Sequence, residues 1–163
     1  MFKKSFTPIS TPEISVLILG TMPGDKSIAL NEYYGHSRNR FWKIISTITK
    51  NNLPLSYPDK KKLLAKTNIG IWDVVHKAVR NGSLDSAIAK EKPNDLDDFI
   101  AKHSKLKVIG FNGAKSEALH DKYFTRKKEI KYILLPSSSP ANTTIGFDGI
   151  CEQWRQILVQ TKE

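Results

Sequence analysis

Cysteine is nearly missing: Cys151 is the only one in 163 residues. One cysteine excludes an internal disulfide and every cysteine-rich metal motif. The histidines His36, His76, His103 and His120 are scattered without the spacing of a ligand pair, so no metal is expected. Long apolar runs are absent too; the longest are strand-sized and far short of a membrane span. Behind the lysines of the N-terminal MFKKSFTPIS stands no apolar stretch of the signal-peptide kind. Internal repeats, low-complexity tracts and linkers are lacking as well. The expectation is a soluble, cytoplasmic chain that folds as one domain over 1–163, long enough to bury its own core.

Acidic side chains are the scarcer charge, 16 against 26 basic ones, which leaves +10. Such a balance suits a polyanionic partner, nucleic acid first. Arginine is itself scarce, being confined to Arg38, Arg40, Arg80, Arg126 and Arg155. Most of the charge is therefore lysine, and a lysine-rich proteome gives the same bias without any nucleic acid.

The chain alternates short apolar runs with helical patterns. Val16–Leu19, Lys107–Phe111 and Tyr132–Leu135 read as buried parallel strands, with Gly70–Val75 as a fourth. Phe41, Trp42, Ile45 and Ile48 share one helix face within 39–49, and Asp59–Ala65 forms a short helix after a proline. Asn94–His103 reads as a helix capped by Asn94, Lys115–Phe124 as another, and Gly149–Lys162 as the last. Residues 81–94 read as a polar connection holding at most a short helix. This alternation predicts an α/β fold, a three-layer α/β/α sandwich around a short, mostly parallel sheet.

Ligands of open α/β sheets bind at the carboxyl ends of the strands, which directs attention to three loops. The first begins GTMPGDKS at Gly20. Gly20, Lys26 and Ser27 fit a Walker pattern, but Gly24 comes one residue early and Asp25 would repel phosphate. No helix is expected to start at Lys26-Ser27, and nucleotide hydrolysis is disfavoured. The loop ends in YYGHSRNRFW (33–42), where tyrosines can stack on a base, an asparagine amide can read one and arginine can hold a phosphate. The plainer alternative makes Tyr33 and Tyr34 a lid and Asn39 a helix cap. The second loop opens with Asn112-Gly113, either a turn or a base-reading asparagine. The third, PSSSPANTT from Pro136, offers hydroxyl and backbone N–H groups to a phosphodiester chain.

Together these segments resemble the uracil-DNA glycosylase superfamily over about residues 14–150. In its mismatch-specific branch a G-x-N-P-G stretch is followed by a His-Pro-x-Asn-Arg-Phe-Trp run; here the pieces read GTMPG (20–24) and YYGHSRNRFW (33–42). SSSPAN (137–142) stands where the superfamily keeps its second motif. The hypoxanthine-DNA glycosylase family is the most similar, sharing the G-[ST]-M-P-G start, the paired tyrosines and the Ser-Ser-Pro-Ala-Asn ending. One departure matters. The third position of G-x-N-P-G, a water-positioning asparagine in the mismatch enzymes, is Met22 here, and a thioether orients water poorly.

The resemblance implies a monofunctional glycosylase acting on damaged or mismatched DNA as a monomer, without cofactor or metal. Its catalytic asparagine would be Asn39, with Asn112 second. Thr21, Met22, Tyr34 and Tyr33 would bind the flipped base, Tyr34 by stacking. Gly24, Arg38, Lys115, Ser137, Ser138 and Ser139 would meet the phosphates, Pro140 and Ala141 the gap left by the base, and Asn142 the opposite strand. No lysine is placed as an obvious Schiff-base nucleophile. Hypoxanthine is the implied base, with xanthine or uracil secondary. The rivals are a mismatch-specific uracil or thymine glycosylase and a catalytically inactive nucleic-acid-binding module.

Overall fold

The computed structural model describes residues 2–159. The elements in its first half are β1 (Phe2–Lys4), β2 (Val16–Gly20), α1 (Asp25–Leu30), α2 (Phe41–Ile48), α3 (Tyr57–Thr67) and β3 (Ile69–Asp73). Next come β4 (Val75–Val79), a 3-10 turn (Asp85–Ala87), β5 (Ala89–Pro93), α4 (Leu96–Ala101) and β6 (Val108–Asn112). The chain closes with α5 (Ala114–Tyr123), β7 (Lys131–Leu135), α6 (Phe147–Trp154) and α7 (Gln156–Val159).

Four strands form a parallel sheet in the order β3-β2-β6-β7. Every residue of β2 and β6 is buried, as continuous apolar runs require when both faces of a sheet are covered. The two-residue period of the strand divides them: Val16 and Ile18 face one core with Phe41, Ile45, Leu64 and Trp154. Leu17 and Leu19 face a second core with Phe99, Phe111 and Leu119. Helices thus cover both faces of the sheet, the three-layer α/β/α sandwich expected from the sequence.

Several local expectations are corrected. GIWDVV is not one strand: β3 ends at Asp73 and β4 starts at Val75, in a separate antiparallel sheet of order β1-β4-β5. The polar stretch 81–94 supplies β5, whose exposed, lysine-rich residues carry no apolar period for sequence reading to catch. A helix does follow the glycine loop. α1 starts at Asp25, whose N–H donates to Ser83 Oγ at 2.8 Å, and six residues are too few to show a periodic stripe. The cap of α4 is Asp95, which accepts from the Asp98 N–H at 3.0 Å, rather than Asn94. The last helical stretch breaks at Arg155 into α6 and α7, and residues 160–162 of the expected helix lie outside the described residues.

Candidate active site

The carboxyl ends of β2, β3, β6 and β7 meet at one cavity of about 360 Å³, within the range of ligand pockets. Gly20 through Ser27, Tyr34, Asn39, Asp73, Asn112 and Ser137 through Pro140 all stand on its wall. The three loops singled out from sequence therefore converge. Among the described residues no group of three or more histidine, cysteine or acidic side chains is placed to hold a metal ion.

The two asparagines are joined through a serine. Asn112 donates from Nδ2 to Ser138 Oγ at 2.9 Å, and Ser138 Oγ donates to Asn39 Oδ1 at 2.9 Å. The Ser138 N–H donates to Asn112 Oδ1 at 2.9 Å, and the Phe41 N–H donates to Asn39 Oδ1 at 2.9 Å. A backbone N–H can only donate, so these two bonds fix which end of each amide is oxygen. Asn39, a residue of the cavity wall, consequently spends its acceptor on the protein, while its Nδ2 has no partner among the described residues. Gly113, at φ +97°, makes the left-handed turn that lets β6 end on Asn112, while α5 begins one residue later.

The adjacent tyrosines have different fates. Tyr33 is core although it also borders the cavity: its hydroxyl donates to the Thr7 carbonyl at 2.8 Å, and its carbonyl accepts from Trp42 Nε1 at 3.0 Å. Tyr34 adopts φ +52°, a left-handed conformation that costs a non-glycine residue about 1–2 kcal/mol. That turn lays its ring against Phe41, centroids 4.1 Å apart and planes 20° from parallel. The Tyr34 hydroxyl is enclosed and receives no hydrogen bond. Burial, then the Asp73 carboxylate, pushes its pKa up, and the Asn112 amide pulls the other way.

Sequence reading missed a polar cluster at the cavity. Asp73 is buried at the end of β3, and its Oδ2 has no hydrogen-bond partner. Burial and the nearby Asp85 push its carboxyl up to about 7, although Arg80 pulls it down. Asp85 accepts from Thr21 Oγ1 at 2.6 Å and pairs with the buried Arg80 at 3.9 Å, and Arg80 also donates to the Pro23 carbonyl. These bonds strap the glycine loop to β4 and the 3-10 turn. Gly20 is needed between Tyr34 and Asp73: a Cβ there would stand 2.7 Å from Asp73 Oδ1 and 3.1 Å from the Tyr34 hydroxyl. The signal for Asp73 was its place at a strand's carboxyl end, hidden while GIWDVV read as a single strand. Met22 lines the cavity while packing in the second core.

The remaining predicted contacts divide by exposure. Ser138 is wholly buried and has no surface to present to a phosphate; it orders the two asparagines instead. Ser137 and Ser139 each accept a backbone N–H at 3.1 Å, from Ser139 and Ala141, and their own protons have no acceptor among the described residues. Pro140 lines the cavity and Ala141 is exposed. The Asn142 amide turns inward, donating to the Ser137 carbonyl at 3.0 Å and accepting from the Thr144 hydroxyl at 2.7 Å. Arg40 fastens this loop, donating to the carbonyls of Ile145 at 2.8 Å and Asn142 at 3.1 Å. Arg38 is exposed, and its guanidinium has no partner among the described residues. Gly24 and Lys26 stand on the cavity wall, whereas Lys115 lies on α5 away from it, near Glu91.

Comparison with known proteins bears on the family and the fold. The model of the uracil DNA glycosylase superfamily matches residues 7–155. A protein of Methanosarcina acetivorans named hypoxanthine DNA glycosylase is 37% identical over 143 residues, covering 87% of this chain and 89% of the relative. A Methanosarcina barkeri protein of the same name is 35% identical over 143 residues with the same coverage, 87% and 89%. The solution NMR structure of a candidate uracil DNA glycosylase from Methanosarcina acetivorans superimposes with a TM-score of 0.83 and 32% identity over 100% of both chains.

Proposed function

Because the chain belongs to the uracil DNA glycosylase superfamily, we propose that it releases hypoxanthine from deoxyinosine in DNA. The N-glycosidic bond is hydrolysed: the base leaves with the bonding electrons, water supplies the hydroxyl at C1′, its remaining proton ends on the released base, and an abasic site remains. The observation that carries this reading is the pairing of Asn39 on the cavity wall, whose oxygen is tied down by two donors while its N–H₂ is left without a partner among the described residues.

Departure of a purine builds negative charge on the base in an oxocarbenium-like transition state. Preorganised N–H donors aimed at that charge are the largest help a site of this kind supplies. Asn39 has donors to give and no free acceptor, so it stabilises the leaving base rather than orienting the attacking water. Asn112 and Ser138 hold it in place. Flipping the target nucleotide costs a few kcal/mol, least for a mispaired base. The ring face of Tyr34 that Phe41 does not cover is where the flipped base stacks, in line with the Tyr34–Phe41 pair. Ser137, Ser139, Arg38 and the backbone at Gly24 meet the flanking phosphates, and Pro140 and Ala141 fill the gap in the duplex.

The test uses end-labelled duplexes with a single deoxyinosine, deoxyxanthosine, deoxyuridine or thymine mismatch, each resolved with and without alkali. Breakage at deoxyinosine only after alkali supports a monofunctional hypoxanthine glycosylase. Breakage without alkali would make Lys26, on the cavity wall, a Schiff-base nucleophile and overturn the monofunctional part. Stronger action on the uracil or thymine duplex would replace the hypoxanthine reading with the mismatch one.

A further inference from the structure

Asp73 is a buried polar group in the cavity that the mechanism above leaves unused. It sits at the carboxyl end of β3, is only 4% exposed, lines the same cavity as Asn39, and has an Oδ2 without a hydrogen bond. A buried, unsatisfied carboxyl oxygen costs about 1–3 kcal/mol or more, and such a group persists at a site when a ligand satisfies it. The surroundings are built to hold it. The Asn94 Nδ2 donates to the Asp73 carbonyl at 2.8 Å, and Gly20 leaves room for the side chain where any Cβ would collide.

We propose that Asp73 reads the flipped base, its carboxyl group pairing with the adjacent N1–H and C6=O of a 6-oxo purine. The N–H donates to one carboxyl oxygen, and the protonated oxygen donates to the 6-oxo group. This rests on the hypoxanthine reading and deepens it. The pairing requires the acid form, since a carboxylate offers acceptors only and would repel the 6-oxo group. The site keeps that form available near neutrality: burial and Asp85 raise the carboxyl to about 7 against the pull of Arg80. Tyr33 and Tyr34, whose own hydroxyls are driven up in part by Asp73, add no charge beside it. Asp25, Lys26 and His36 are the other titratable groups on the cavity wall.

Two variants separate reading from proton donation and from folding. Asp73→Asn keeps a donor and an acceptor at the same place but cannot ionise; Asp73→Leu keeps the shape and removes both. The measurement is kcat/KM on the deoxyinosine duplex from pH 6 to 8.5, a quantity that reports groups of the free enzyme. For the wild type it falls by more than about tenfold across this range, with a midpoint near 7, as the acid form is lost. Asp73→Asn stays within about tenfold of the wild type at pH 6 and is flat with pH. Asp73→Leu drops by about a hundredfold at pH 6 while its melting temperature and its affinity for abasic-site DNA are kept. An Asp73→Asn protein that retains the wild-type midpoint, or that loses as much as Asp73→Leu, overturns the assignment. A wild type that releases no base from any duplex overturns the hypoxanthine reading itself, and this inference with it.

Discussion

At the scale of the residue, the site depends on which ends of two amides are free. Asn39 has one acceptor and two N–H bonds, and the acceptor is occupied by the Phe41 N–H and the Ser138 hydroxyl. Asn39→Ala should therefore reduce kcat by about a hundredfold or more, the scale of losing one aimed donor, with lesion-DNA affinity within about tenfold. Single-turnover rates beside binding titrations decide it; unchanged turnover would move the chemistry to Asn112. Asp73 has a consequence for stability as well. Its carboxyl is raised in the folded state, so the protein gains from it fully below pH 4 and loses that gain as pH climbs to about 7. Asp73→Asn should then exceed the wild type in stability at pH 8, by on the order of a few kcal/mol, with the gap closing toward pH 4. Denaturant melts at the two pH values give both numbers.

At the scale of the element, the loop from Pro136 to Ile145 is positioned by α2. The backbone N–H of Arg40 donates to the Ser138 carbonyl at 3.1 Å, and its guanidinium holds Asn142 and Ile145. Arg40→Ala should cost about 2–4 kcal/mol of unfolding free energy and lower kcat/KM although Asn39 is intact. Equilibrium unfolding and steady-state kinetics on one preparation test both parts. What sequence could show at this scale follows from periodicity. β2, β6 and β7 are apolar runs closed by Gly, Asn and Pro, and α2 has a clear stripe, so their places were legible within a residue or two. The sheet β1-β4-β5 was not, because its strands carry exposed lysines and no alternation. Splitting GIWDVV at Val74 needs the tertiary knowledge that β4 pairs elsewhere, and the place of Asp73 on the cavity wall was hidden by the same break. The structural role of half-buried Arg40 was not legible, because an arginine that fastens a loop and one that faces solvent have the same letter.

At the scale of the whole molecule, the parallel sheet gathers three loops, distant in sequence, at one end. The motifs in those loops were the readable part of the site. The walls behind them, Asp85, Arg80 and the serine bridge, come only with folding. The net charge of +10 acts at this scale too. If phosphates supply the affinity, binding to a deoxyinosine duplex should weaken at least about tenfold between roughly 50 and 200 mM salt, linearly in logarithms. A fluorescence-anisotropy series tests it, and a flat response would detach the lysine surplus from DNA binding. The central claim is the reaction itself, and alkali-revealed cleavage of a deoxyinosine duplex measures it most directly. The account predicts a break at the deoxyinosine only after alkali, nearly abolished in Asn39→Ala; an intact strand under both treatments would contradict it.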